Sequence, residues 1–376
     1  MQQDAVLIPP VSPISGFFRS PINWLFIFIP ITVALEHAGS IPPPVIFFSA
    51  GLAIIPIAGL IVQATEQLAE KTGDAVGGLL NATFGNAPEL IISFVALRAG
   101  YLQMVRASLV GAIIANMLLA LGVSFLLGGL RHKDQQFNPT ATRMYSTMMF
   151  VAAISMAVPS FFSRLFAPVG AIRQEQLLNI GIAIVLLAAY GLFLLYSLKT
   201  HKVAFASVAA ADAAESEHGA QWSVGRSVIS LIGASVLAAW MSEMLVGAAE
   251  GTGKQLGMSE IFIGIILLAV IGGAAESGSA IAMARKNKPD LSIGIALGSS
   301  IQIALFVAPV LVLASYFVAP TPLELSFGRA EIGSLGIAVM IGALVCGDGQ
   351  SSWFKGVQLI TVYTIIAMMF YLAPVQ

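Results

Sequence analysis

Two glutamates stand alone in long uncharged stretches. Glu89 is the only charged residue between Ala75 and Leu97, and Glu276 is the only one between Ile261 and Ala284. A carboxylate at the centre of a bilayer costs about 2.5–3.5 kcal/mol on the mildest scales, so it persists where a cation, a proton or a water path compensates it. Carboxylate oxygens are hard donors suited to Ca²⁺ and similar cations, and they also carry protons. Two isolated acids of this kind point to cation transport.

Each glutamate is set in a helix-weakening motif. In Gly85-Asn86-Ala87-Pro88-Glu89, Pro88 lacks an N–H and clashes with the preceding turn, and Gly85 weakens the helix further. Carbonyls freed at membrane depth are tolerated only where they face protein or line a watery cavity. Together with the Asn86 amide and Glu89, they form a set of hard oxygen donors. Gly272-Gly273-Ala274-Ala275-Glu276-Ser277 does the same with glycines. A second polar helix follows each motif. Ser108, Gly111 and Asn116 interrupt one apolar run, and Gly298-Ser299-Ser300-Ile301-Gln302 interrupts the other. Ser299 and Gln302, three residues apart, share one helix face. Asn86, Asn116, Ser299 and Gln302 are therefore expected beside Glu89 and Glu276 as cation ligands. Interhelical hydrogen bonding without ligation is the alternative for Asn116, Ser299 and Gln302.

The elements that must hold these residues are membrane helices. Of 376 residues, 57% are hydrophobic and 10% charged, whereas soluble domains carry about 25% charged residues. The mean hydropathy is +0.90. A net charge of −1 offers nothing to nucleic acid, and the single Cys346 excludes an internal disulfide or a multi-thiolate metal site. The run from Ile22 to Leu35 reads as a retained first helix rather than a cleaved signal. Cutting at charge clusters and Pro/Gly breaks predicts an all-α polytopic membrane protein of about eleven spans, at 20–38, 43–68, 75–98, 104–130, 141–163, 174–198, 225–249, 257–284, 290–319, 328–347 and 355–374. With the amino terminus cytoplasmic, inner segments hold twelve Lys and Arg and outer segments six. The positive-inside rule thus places the carboxy terminus outside. The polar stretch 199–226, with Asp212, Glu215, Glu217 and His218, is a cytoplasmic acidic linker.

The halves on either side of that linker repeat. Ala69-Glu70-Lys71-Thr72-Gly73 matches Ala249-Glu250-Gly251-Thr252-Gly253, and the two glutamate motifs lie 187 positions apart, as do Gly111 and Gly298. Five helices per repeat is an odd number, so the second copy enters the membrane inverted. The expected organisation is a tail and first helix over 1–42, repeats over 43–198 and 227–376, and the linker between them. Glu66, Glu70, Glu243 and Glu250, nearer helix ends, read as water-facing acids. The four histidines fall at helix ends or in loops, and no HExxH pattern occurs. That disfavours an intramembrane metal enzyme, and the absence of a repeated filter-like loop disfavours a channel.

GNAPELI at 85–91, GSSIQIALFVAP at 298–309, and the AEGTG and GGAAES segments resemble the calcium/proton exchanger family of the cation/calcium exchanger superfamily. The resemblance covers essentially the whole chain. It implies eleven helices, one ahead of two five-helix repeats, and electrogenic exchange of cytosolic Ca²⁺ for protons, with Glu89 and Glu276 carrying Ca²⁺ and H⁺ in turn. One departure stands out. The family's second motif usually reads Gly-Asn-Ala-X-Glu-His, and here Gly273 and Ser277 replace the amide and the imidazole.

The expected function is secondary antiport that moves Ca²⁺ out of the cytosol against inward protons. Two buried carboxylates without a cation take up protons, because burial and mutual repulsion disfavour their charged forms. Ca²⁺ neutralises both and displaces those protons, so either loaded form can cross and the empty charged form cannot. No cofactor is called for. Ca²⁺ and H⁺ are cargo, membrane lipid is the surrounding partner, Mn²⁺ or Na⁺ are candidate further cargo, and a homo-oligomer is compatible with the pattern. The rival reading is a Na⁺/H⁺ or mixed-cation exchanger, suggested by Gly273 and Ser277.

Overall fold

A computed structural model describes residues 21–72, 74–165, 172–200 and 222–373. The tail before residue 21 and the 201–221 part of the linker, with its acids and His218, lie outside the described residues. Apolar segments with no water to satisfy their backbone must satisfy it internally, which makes them helical. Thirteen helices result among the described residues: α1 (Ile22–His37), α2 (Pro43–Thr72), α3 (Asp74–Phe84), α4 (Ala87–Arg98), α5 (Leu102–His132), α6 (Pro139–Leu165), α7 (Arg173–Thr200), α8 (Val224–Leu256), α9 (Glu260–Gly272), α10 (Ala274–Arg285), α11 (Pro289–Val318), α12 (Arg329–Val345) and α13 (Trp353–Tyr371). Seven are long and apolar enough to cross a membrane, and an eighth span arises if α9 and α10, bent by 57°, count as one.

The interruptions fall where the sequence weakens the helix. α3 stops at Gly85 and α4 begins after Asn86, whose φ of −101° and ψ of 30° lie outside helical geometry. α9 gives way to α10 at Gly273. α8 ends at Gly257 with φ +67°, and Ser259 then caps α9 by accepting the Phe262 N–H. Within α5, α9 and α11 the helix loosens to π geometry over Ala115–Ala120, Ile263–Leu268 and Ile303–Val307. Such turns recur at functional sites.

Two apolar cores result. One joins α2 to α8 through Phe47, Ile54, Ile57, Ile61, Met241 and Leu245. The larger gathers α5, α11, α12 and α13 around Met117, Leu121, Leu305 and Val339. Both ends of the larger body are tied by polar contacts. At one end β1 (Asp134–Gln136) pairs antiparallel with β2 (Gln350–Ser352), and the Gln135 amide donates to Ala284 O and Asn287 Oδ1 at 2.8 and 2.9 Å. Partial burial works against the Asp348 charge there, but the Lys355 ammonium and the Gln350 N–H hold its carboxyl below its ordinary value. At the other end an extended strap, 319–328, buries Leu323, Leu325 and Phe327. Their N–H groups donate to Ser315 Oγ, Asn179 Oδ1 and Ser160 Oγ, so side chains from three helices replace a missing sheet partner.

Candidate functional site

The breaks put both glutamates in the same local position. Glu89 is the third residue of α4 and Glu276 the third residue of α10. Free N–H groups and the positive end of the helix dipole favour an anion in a first turn. Both side chains are buried, at 7% and 8% exposure, and among the described residues neither carboxylate has a hydrogen-bond partner within the chain. The two acids are within electrostatic reach of each other. Buried acids left without a proton donor are what a transported cation or proton requires.

Glu89 faces the second broken helix across its glycines. A Cβ on Gly272 would lie 3.1 Å from Glu89 Cγ, and one on Gly273 would lie 3.6 Å from Glu89 Oε1 and 3.7 Å from Asn116 Oδ1. Ala269 O, at 3.2 Å, is the nearest atom to that Gly273 Cβ position, so three oxygens border the space beside Gly273.

The remaining nominated residues form one hydrogen-bonded chain across both halves. Asn116 Nδ2 donates to Ser299 Oγ at 3.1 Å, Ser299 Oγ donates to Asn86 Oδ1 at 2.6 Å, and Asn86 Nδ2 donates to Gln302 Oε1 at 2.5 Å. Four of the six candidates thus spend hydrogen bonds on one another, Glu89 lies with Asn116 beside Gly273, and Glu276 is within electrostatic reach of Glu89. Charge-free oxygens held this way are positioned without losing all their lone pairs, since an amide oxygen accepts twice. Positions 187 residues away lack this equipment: Asn86 corresponds to Gly273, Ser299 to Ala112 and Gln302 to Ala115. Each half thus contributes two polar members, at non-equivalent positions.

Removing one link has a readable consequence. Gln302→Ala leaves the buried Asn86 Nδ2 without its acceptor, a loss of about 1–3 kcal/mol. The Ca²⁺ concentration for half-maximal transport should rise about tenfold, and Na⁺ effects should change less, because Ca²⁺ demands six to eight oxygens. An unchanged Ca²⁺ titration would reduce Gln302 to a packing residue.

Glu66, Glu70, Glu243 and Glu250 all stand exposed, as expected of water-facing acids. Glu250 pairs with Lys254 at 2.5 Å and accepts from the Tyr101 hydroxyl. No group of three or more His, Cys, Asp or Glu converges among the described residues, so any Ca²⁺ shell here must be completed by amide, hydroxyl, backbone or water oxygens. Sequence reasoning missed Ser93, which with Ser108 lines a small cavity against Glu89. The available signal was its spacing, one turn beyond Glu89 on the same face.

The family model described as sodium/calcium exchanger protein matches the chain twice, over residues 43–199 and 226–372. The Ca(2+)/H(+) antiporter ChaA of Bacillus subtilis (strain 168) is 41% identical over 352 residues, covering 92% of this chain and 98% of its own. The Ca(2+)/H(+) antiporter of Aphanothece halophytica is 38% identical over 361 residues, covering 93% and 96%. The solved structure of native YfkE superposes with a TM-score of 0.78 at 38% identity, covering 93% of this chain and 99% of that one.

Proposed function

The chain belongs to the sodium/calcium exchanger protein family, and from that premise we propose that it is a secondary active antiporter exporting cytosolic Ca²⁺ in exchange for H⁺. The observation that carries the mechanism is the pair of buried, unpartnered carboxylates at the first turns of two broken helices. Two negative charges match one Ca²⁺ or two protons. Glu89 and Glu276 carry both cargoes in turn, which makes the two loadings mutually exclusive. Glu89 Oε1 and Asn116 Oδ1 converge on the open face of Gly273 as ligands, while Asn86, Ser299 and Gln302 complete and brace the oxygen shell. The Na⁺/H⁺ alternative is not favoured, since relatives of 36–41% identity over nearly the whole chain are named Ca²⁺/H⁺ antiporters.

The finer architecture in this reading is eleven spans, with α3–α4 and α9–α10 each one interrupted span and α1 standing ahead of two inverted five-helix repeats. The double match of one family model supports the repeat, as does the shared third-residue placement of the two glutamates. Residues 1–42 form the tail and first helix, 43–198 and 227–376 the repeats, and 199–226 the cytoplasmic linker. Large apolar side chains exposed on the outer faces, among them Leu79, Ile154, Leu192 and Phe317, face lipid.

A proteoliposome assay tests the function. Ca²⁺ added to one side of a sealed vesicle should draw protons from the other compartment toward the side of addition, with Mn²⁺, Na⁺ and K⁺ as competing cargo. Proton movement with Na⁺ or K⁺ but not Ca²⁺ would replace this reading with the monovalent one. Orientation is tested separately. Asn287 is exposed at the α10–α11 turn and belongs on the cytoplasmic side. In a Cys346→Ser background, Asn287→Cys should resist an impermeant thiol reagent applied outside intact cells and react in inside-out vesicles; the reverse pattern would invert the topology.

A further inference from the structure

Beside Glu89 lies a cavity about the size of one water molecule. Its polar walls are Glu89, Ser93 and Ser108, and Ala112, Leu268 and Ile303 are among its apolar ones. All three polar residues are more than nine-tenths buried. The two hydroxyl oxygens are 3.4 Å apart, and the Ser108 hydroxyl donates to Val105 O at 2.8 Å. That bond commits the Ser108 proton and leaves its oxygen to accept. A buried water typically makes about three hydrogen bonds, and these walls supply three. With the Ser108 proton on Val105 O, the 3.4 Å contact is Ser93 donating to Ser108 Oγ. A water taking the place of that long bond would accept from Ser93 and donate to Ser108 Oγ and to the Glu89 carboxylate.

We propose that Ser93 and Ser108 bind one resident water against Glu89, and that this water anchors the carboxylate so that Oε1 stays turned toward Gly272, Gly273 and Asn116. Both serines are positioning residues, acting on the cation through the water and Glu89. The role rests on the two-glutamate exchange reading above. The serine pair is confined to one half of the molecule: 187 positions beyond Ser93 and Ser108 stand Ala280 and Ile295.

The test uses the full chain, purified and reconstituted, with two variants checked for monodispersity and helix content. Ser93→Ala with Ser108→Ala removes two of the three partners. Ala112→Val keeps both hydroxyls but fills the cavity. Each should raise the Ca²⁺ needed for half-maximal proton movement by about fivefold, the loss expected from one hydrogen bond, while leaving the maximal rate near that of the parent. A crystal structure of the parent that resolves waters should show one between Glu89 and the serines, absent from both variants. If Ala112→Val titrates like the parent while the serine variant shifts, the hydroxyls act without a water and the proposal is overturned. Parent-like titration of both variants also overturns it, as does a parent structure with no water there. If the parent itself moves no protons with Ca²⁺, the antiport reading fails on its own, and the water is still decided by the density.

Discussion

Glu89→Gln and Glu276→Gln are each expected to abolish Ca²⁺-driven proton movement in proteoliposomes while the protein stays folded and inserted. Each substitution exchanges a buried, unpartnered carboxylate for a neutral amide of nearly the same shape, which is easier to bury. Stability should therefore hold or rise. Transport should not survive, because one carboxylate neutralises only half the charge of Ca²⁺. A unit charge pair about 4 Å apart is worth about 4 kcal/mol at an effective dielectric of about 20, or about a thousandfold in affinity. The proton half-cycle loses one of its two carriers at the same time. Ca²⁺ binding by titration calorimetry and proton flux with an enclosed pH dye should both fall below detection in each variant. Substantial residual flux in either would leave a single-carboxylate carrier, and the two-carrier mechanism would have to be dropped.

Much of this site was legible before any coordinates. The glutamates announced themselves because a mid-membrane charge is costly, and the helix breaks because Gly and Asn-Pro cannot hold an unbroken ladder. Most expected helix limits fall within a few residues of the observed ones, since charge clusters mark where the chain meets water, but α8 runs to Leu256 and not to 249, carried past Glu250 and Lys254, which pair one turn apart on its exposed face. Asn86, Asn116, Ser299 and Gln302 were conspicuous as polar residues in apolar runs. Their partners were not. Asn86 bonds to residues 213 and 216 positions away, and a hydrophobic pattern carries no information about which polar groups meet across a bundle. Expected to ligate, these residues bond to one another, two from each half. The short pairing of β1 with β2 escaped because three polar residues carry no period. The π turns escaped because an extra residue in a turn has no composition of its own. Ser93 escaped because one serine in an apolar helix is ordinary until a cavity opens beside it.

Gly111→Val and Gly298→Val should part company, although the sequence places the two glycines in corresponding positions. In α5 a Cβ on Gly111 would lie 2.2 Å from Ile265 O and 2.4 Å from Ile265 Cα. The obstacle is backbone within the π turn of α9, where a Cβ on Gly264 would itself lie 2.6 Å from Ala107 Cβ and 2.8 Å from Met104 O. Neither helix can yield, so Gly111→Val should destabilise by about 3 kcal/mol or more and lower the melting temperature in detergent by several degrees. Gly298, in α11, meets nothing within 4 Å, and Gly298→Val should melt like the parent. Its expected defect is in turnover. If the halves are the inverted repeat proposed above and exchange conformations in the other state, α11 would close on α3 as α5 closes here on α9, and Gly298 would take the crowded place that Gly111 has now. Gly298→Val should then fold and bind Ca²⁺ with near-parent affinity, yet move protons at a small fraction of the parent rate. Stability and transport would be separated in two variants at equivalent positions, which a general loss of packing cannot do. Parent-rate transport by Gly298→Val would mean that the halves do not trade packing, and alternating access would need some hinge other than the exchange of these two glycine contacts.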